Sequence, residues 1–497
     1  MLRTLRLLGV LATSVASAQA QSEHLGSITF PTSGSTAAQE HFIRGTLYLH
    51  SFEYELAAQE FQAAQRLEPG FAMAYWGEAM TYTHPVWNQQ DKLAALAALN
   101  RLAPTPEQRA ARAPTPREKA WLHAVEVLYG PGTKEQRDTL YSGAMERMAA
   151  GAPGDDEAQT FYALSLLGLS QGVRVVPTYM RAGAIALGVM QRNPDHPGAA
   201  HYAIHAFDDP IHAPLGLHAA EMYSGIAPSA AHAQHMTTHI FLALGKWDDV
   251  VKQNIIALGT DSTKWMPGHY SSWLEYALLQ QGRLADASHL LDLMARNMSG
   301  SVPLSQRGTL VLMQDYYLIN TEQWDFAPPA LDIDGAGPML RAVQVFSRGY
   351  SALKRNELDH ARSQLESLRA LTHIDGTPAQ VGVLASELAG LVQVSTGDTT
   401  QGLWLLRRAS AIEDTIPVEF GPPLIVKPTH EALGEAYLEL GRPTEAEREF
   451  QRALELAPGR MRSILGLARA ATLAGNASGA ERAWGQLRQV LARADSA

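Results

Sequence analysis

The sequence predicts an all-α solenoid of helix-turn-helix units. Three observations carry this: a 34-residue period in small, aromatic and proline positions, Gly or Asn turns between paired helical stretches, and no run of period-two strands or βαβ alternation. The chain has 497 residues, 46% hydrophobic and 18% charged, a globular composition with enough apolar surface for a core. Length alone would suggest about three domains, but repeat architectures escape that rule. There is no cysteine. This excludes a disulfide scaffold, a thiolate nucleophile, CxxC redox chemistry and thiolate-ligated zinc or iron–sulfur sites. Any metal must use nitrogen or oxygen donors.

The first twenty residues differ from the rest. Arg3 and Arg6 make a basic start, Leu7 to Ala16 is apolar, and Ala18-Gln19-Ala20 is an A-x-A cleavage pattern, together the marks of a secretory signal peptide over residues 1–20. Cleavage after Ala20 would leave 38 basic against 50 acidic residues, a net charge of −12. No later stretch has the 18 or more consecutive apolar residues that a membrane span needs, so the expected location is periplasmic or secreted. The acidic balance argues against a nucleic-acid partner. A metal cation, a protein or peptide, or a small molecule remains open.

The first unit, counted from Ala38, places Gly45 eighth, Tyr48 eleventh, Ala57 twentieth, Phe61 twenty-fourth, Ala64 twenty-seventh and Pro69 thirty-second. Gly434, Tyr437, Ala446, Phe450, Ala453 and Pro458 repeat the frame, and Ala468, Ala471, Ala480, Trp484 and Leu487 continue it. These positions resemble the tetratricopeptide repeat. Small residues let the two helices of a hairpin approach, large apolar ones fill the gap to the next hairpin, and Pro ends the second helix. Weaker copies give roughly ten to twelve units. The expected organisation is an N-terminal extension over 21–37, a first array over 38–320, a loop over 321–340 and a second array over 341–497. The repeat implies a right-handed superhelix with a concave groove.

Eight of the 18 histidines lie within the 44 residues from His196 to His239, where an even spread would place about 1.6. His201 with His205, and His235 with His239, form two H-x-x-x-H motifs 34 residues apart. Units starting at Pro197 and Ala231 put both pairs at the fifth and ninth positions. His232 falls second, and Asp208 and Asp209 fall twelfth and thirteenth. The repeat family implies that all these positions face the groove. Residues four apart share a helix face, so each pair can present two imidazoles to one ion, and helices about 8–10 Å apart can bring both pairs together. The candidate metal ligands are therefore His201, His205, His232, His235, His239, Asp208 and Asp209. The aspartates serve either as ligands or as carboxylates orienting an imidazole. Zinc, copper, iron and nickel all accept imidazole. Inherited groove polarity without metal, an anion site and a pH sensor are the competing readings.

His269, second in the next unit, is a candidate further ligand or substrate contact. His50 and His84, both thirteenth in their units, read as groove polar residues. Trp76, Trp87 and Tyr276 are candidates for an apolar wall of the ligand groove, with His84 beside them. Gly168-Leu169-Ser170-Gln171-Gly172 matches a hydrolase elbow but ends a helical pattern instead of following a strand. Asp332 to Gly335 begins like a calcium loop, yet Val343 stands where its glutamate belongs.

AMAYWGEAM at Ala72 to Met80, HYAIHAFDDPIHAPLGLHAAEMY from His201, IAPSAAHAQHMTTHIFLALGKWDDV from Ile226 and the late Gly421-Pro422-Pro423 resemble a functionally uncharacterised family of bacterial tetratricopeptide-repeat proteins. That family usually reads His-Met-Pro-Ser-His where this chain has HMTTH, so the local backbone differs while both histidines stay. The resemblance implies the fold and no activity. A peptide-carboxylate clamp of Lys, Asn and Arg is disfavoured, because histidine holds the fifth and ninth positions. The expectation is an exported solenoid that binds a ligand or partner in its groove, with a histidine-ligated divalent metal. A metal-dependent hydrolase or oxidoreductase and a metal-free interaction scaffold are the alternatives.

Overall fold

The computed structural model describes residues 23–170, 173–298, 300–418 and 420–495, and the expected signal peptide lies outside them. The described residues contain twenty-four α-helices, and twenty-two of them pair as eleven antiparallel hairpins, from Thr36–His50 with Tyr54–Leu67 to Met461–Leu473 with Ala477–Val490. Two helices stand outside the pairing. Pro106–Arg112 is a short insertion, and Leu304–Thr321 is followed by coil up to Pro338, where the sequence predicts a loop. One element was not anticipated: Thr83–His84 pairs antiparallel with Gln89–Gln90 around the turn Pro85–Trp87, inside the second hairpin. Among the described residues no helix is long and apolar enough to cross a membrane.

The periodic residues pack as their spacing requires. Phe61 is gripped between two glycines: a Cβ on Gly45 of its own hairpin would stand 2.8 Å from the ring, and one on Gly77 of the next hairpin 2.3 Å. Phe450 sits in the same way between Gly434 and Gly466. A buried aromatic at the twenty-fourth position thus fills the seam between neighbouring hairpins, and the missing Cβ atoms make room for it.

The groove is not open along its length. At its start, Phe30 of the N-terminal extension inserts among Phe42, Trp76 and Trp121, with ring centroids 5.0–5.6 Å away. Trp76 is fully buried there. It is a core residue and not a pocket wall, because the extension occupies the space that its repeat position would otherwise face.

At the other end the superhelix turns back on itself. Trp247 Nε1 donates to the Gly459 carbonyl at 2.8 Å, Met461 N–H to Gln280 at 3.0 Å, and Ala285 N–H to the Asp495 carboxylate at 2.7 Å. Gly245 and Gly459 meet backbone to backbone with φ of +68° and +75°, and a Cβ on Gly245 would lie 2.5 Å from the Pro458 oxygen. A buried charge network secures the contact. Arg460 donates to both oxygens of Glu431 at 2.8 and 3.1 Å and to the Tyr276 hydroxyl at 2.9 Å. Lys427 approaches Glu431 at 3.0 Å. Tyr276, predicted to line the groove, is thus a buried member of this clasp.

Candidate metal centre

Three consecutive inner helices, Pro197–Ala206, Ala231–Ala243 and His269–Gln280, supply six histidines. The first two start 34 residues apart and the third follows after 38, which places their faces side by side. His201, His205 and His232 each offer a ring nitrogen within 4.8 Å of the others, and His235, His239 and His269 do the same. The two triads adjoin, with His205 and His239 ring centroids 5.9 Å apart and His232 and His235 6.3 Å apart. The sequence paired the histidines by motif. The structure instead adds one histidine from elsewhere to each pair: His232 from the neighbouring helix joins the first, and His269 from the third helix joins the second.

The outer nitrogens are anchored. His201 Nδ1 lies 2.6 Å from the His50 carbonyl, His235 Nδ1 2.7 Å from Asn254 Oδ1, and His239 Nδ1 2.5 Å from Asp208 Oδ2. The inner nitrogens are not. His201 Nε2 and His205 Nε2 face each other at 3.1 Å, while Nε2 of His232, His235 and His239 is buried without a partner. Buried polar atoms without partners are costly and rare, and three of them beside a histidine pair that has only each other need an account. An outer nitrogen fixed by a carbonyl, amide or carboxylate oxygen with an inner nitrogen left free is how metal-ligating histidines are held.

Burial lowers the basicity of the whole set. Burial pushes His201 down to about 3 and His269 to about 4, although His269 is the one exposed ring of the six and lines a cavity. His205, His232, His235 and His239 fall well below the usual imidazole value, through burial first and then through one another. All six are neutral near pH 7, the state a metal requires. Burial raises the Asp208 carboxyl to about 8, against the pull of Arg174.

The remaining predicted residues separate. Asp208 meets His239 Nδ1 and so fixes the orientation of that ring. Asp209 is not available as a ligand: it accepts from Arg174 at 2.7 Å and from the N–H groups of Ile211 and His212, and contacts the His212 ring at 2.8 Å. It braces the turn that leads into the helix Ala213–Ile226, a local demand that a twelfth-or-thirteenth-position rule does not see. Trp87 borders the first triad at 6.0 Å from His232, with 38% of its surface exposed. His84 stacks on Tyr54 at 3.9 Å and lines a different cavity, with Thr81 and Gln90.

His50 is fully buried, not a groove residue. Its Nε2 donates to Glu157 at 2.9 Å, and His196 Nε2 lies 3.2 Å from the other Glu157 oxygen. His196 Nδ1 accepts the Ala199 N–H, and His50 Nδ1 pairs with Tyr202. Every nitrogen is used, so this second group of histidines is a structural staple.

Sequence reasoning missed Asn254, although a signal existed. It holds the twenty-fourth position of its unit, where Phe61 and Phe450 stand elsewhere, and a buried amide in an aromatic slot marks a polar task. Replacing Asn254 by Leu keeps the volume but frees the His235 ring. We expect metal affinity to fall about 10–100-fold, read by competition with a chromophoric chelator, with little change in helicity. Also missed were Phe52, 4.3 Å from His201, Trp273, 4.3 Å from His239, and residues 420–424 with Phe420 5.4 Å from His239. Gly421, at φ +91°, lets that segment cross Trp273, where a Cβ would come within 2.5 Å of the ring.

A cavity of about 870 Å³ opens beside the centre, lined by His205, Asp208, His269, Arg174 and, on its apolar sides, by Tyr179, Leu312 and Phe420.

The architecture defines a solenoid of paired helices closed around a histidine-rich interior. The tetratricopeptide-repeat family model matches residues 428–460, and the chain is a tetratricopeptide-repeat solenoid. Such repeats form protein-interaction scaffolds. Among solved structures, the human IFIT1 dimer with m7Gppp-AAAA is 14% identical, with 93% of this chain and 91% of that chain covered and a TM-score of 0.37. The APC/C hetero-tetramer Cut9-Hcn1 is 12% identical over 89% and 78%, with a TM-score of 0.37. Yeast Tom70 is 12% identical over 92% and 91%, with a TM-score of 0.29. No curated protein matches the sequence.

Proposed function

We propose that the protein is an exported repeat solenoid whose interior binds a divalent transition metal through His201, His205, His232, His235, His239 and His269. The observation that carries this is the convergence of two histidine triads, in which His235 and His239 each hold Nδ1 on an oxygen and leave a buried Nε2 without a partner. The basic start and A-x-A pattern of residues 1–20 support export. Zinc, copper, iron and nickel all suit imidazole.

A metal-dependent enzyme is the second reading, favoured by one observation: His205 and His269 open onto the 870 Å³ cavity, so a metal there keeps a face free for a substrate. Elemental analysis of protein purified without a polyhistidine tag tests the metal itself. At least one equivalent is expected, with a clear loss in His201→Ala and in His239→Ala while circular dichroism keeps the helical signal. Metal content unchanged by both substitutions would remove the site.

A further inference from the structure

Six imidazoles exceed what one ion accepts. Structural and catalytic transition-metal sites with imidazole donors take three or four protein ligands. Five of the six ring pairs within the triads have centroids 4.5–5.8 Å apart, and the pairs His205–His239 and His232–His235 bridge the triads at 5.9 and 6.3 Å. Two ions held by three nitrogens each would therefore sit beside one another, as in sites where paired metals act on one ligand about 3.5–4 Å apart.

The charge balance says what else is needed. Imidazoles are neutral, so two divalent ions bring four positive charges into a buried interior. The carboxylates that touch the set are Asp208, on His239, and Glu53, which accepts the His232 backbone N–H at 3.0 Å. Arg174, on the cavity wall, is already balanced by Asp209 at 2.7 Å, yet its Nε is buried without a partner and can donate to a further anion. Buried charge of one sign calls for counter-charge from outside. Val86, Leu167, Tyr179, Leu312, Val418 and Phe420 supply apolar lining to the same cavity.

We infer that the two triads hold two transition-metal ions side by side, joined by an oxyanion that enters from the cavity carrying an apolar or aromatic body. The inference rests on the metal reading above and deepens it. Its oxygens meet the ions and Arg174, and its body lies against the apolar wall.

Cobalt(II) serves as the probe, because its absorption reports coordination. Full-length metal-free protein should saturate at two equivalents. His232→Asn and His269→Asn, each taking one ligand from a different triad, should each saturate at one, with unchanged circular dichroism. Phenyl phosphate should then alter the cobalt bands of the two-ion protein at a concentration at least tenfold below that needed for inorganic phosphate. Arg174→Gln should raise the phenyl phosphate requirement at least tenfold without changing cobalt stoichiometry. Saturation of the parent at one equivalent would overturn the pair while leaving a single metal site. Equal requirements for the two phosphates, or no spectral response, would overturn the ligand. Failure to take up cobalt, zinc or copper at all would overturn the metal reading underneath.

Discussion

Zinc affinity measured between pH 7 and pH 5.5 should fall by about 30-fold, the slope of a single proton, where three ordinary imidazoles of pKa near 6.5 would cost several hundred-fold over the same range. Protons compete for a ligand nitrogen once the pH drops below that nitrogen's pKa in the folded, metal-free protein. With His201 at about 3 and His269 at about 4, and their neighbours also lowered, that competition is nearly absent at pH 5.5. The remaining proton belongs to Asp208. Its carboxyl titrates at about 8 without metal, and it must be ionised to accept Nδ1–H from a metal-bound His239. Affinity therefore drops as the pH falls below 8, tenfold per unit for one proton. Asp208→Asn should flatten the slope while lowering the affinity at pH 7. A chelator-competition series at four pH values reads both, and a slope of two or more protons would contradict the assignment.

Arg460→Ala should lower the free energy of unfolding by about 3–5 kcal/mol, the usual cost of leaving one charge of a buried pair uncompensated. Arg460 and Glu431 are fully buried, and the guanidinium also holds the Tyr276 hydroxyl and lies 3.3 Å from the Val426 carbonyl. Lys427 stays beside Glu431 in the variant, which places the expectation at the lower end of that range. Denaturant titration followed by circular dichroism measures it. A loss below about 1 kcal/mol would mean that the C-terminal hairpins are held by packing alone.

Much of the architecture is legible in local pattern. The spacing of Gly45, Phe61 and Pro69, and of Gly434, Phe450 and Pro458, predicts hairpins where hairpins stand, because the grip of glycines on an aromatic is a contact between neighbours in the chain. The central histidines were legible for the same reason: residues at fifth and ninth positions of adjacent units share a face whatever the superhelix does. Two things were not legible. One is the partition into triads, since whether His201 meets His232 or His235 depends on the rise and twist between hairpins. The other is everything that reaches the site from far along the chain. Phe52 approaches His201 across about 150 residues, and Phe420 approaches His239 across about 180. No period encodes such meetings. Asn254 lies between these cases, since its oddity is visible in the frame but its partner is not.

The return of Gly459, Met461 and Asp495 onto the hairpins around Trp247 and Gln280 changes how this molecule should melt. A linear array of repeats can fray from either tip, each unit leaving with only its neighbour's help lost. Here the last units are tied to the middle, so the tip has no independent route to disorder. Residues 231–495 should open as one cooperative block, and removing the final two hairpins should harm the centre of the chain as much as its end.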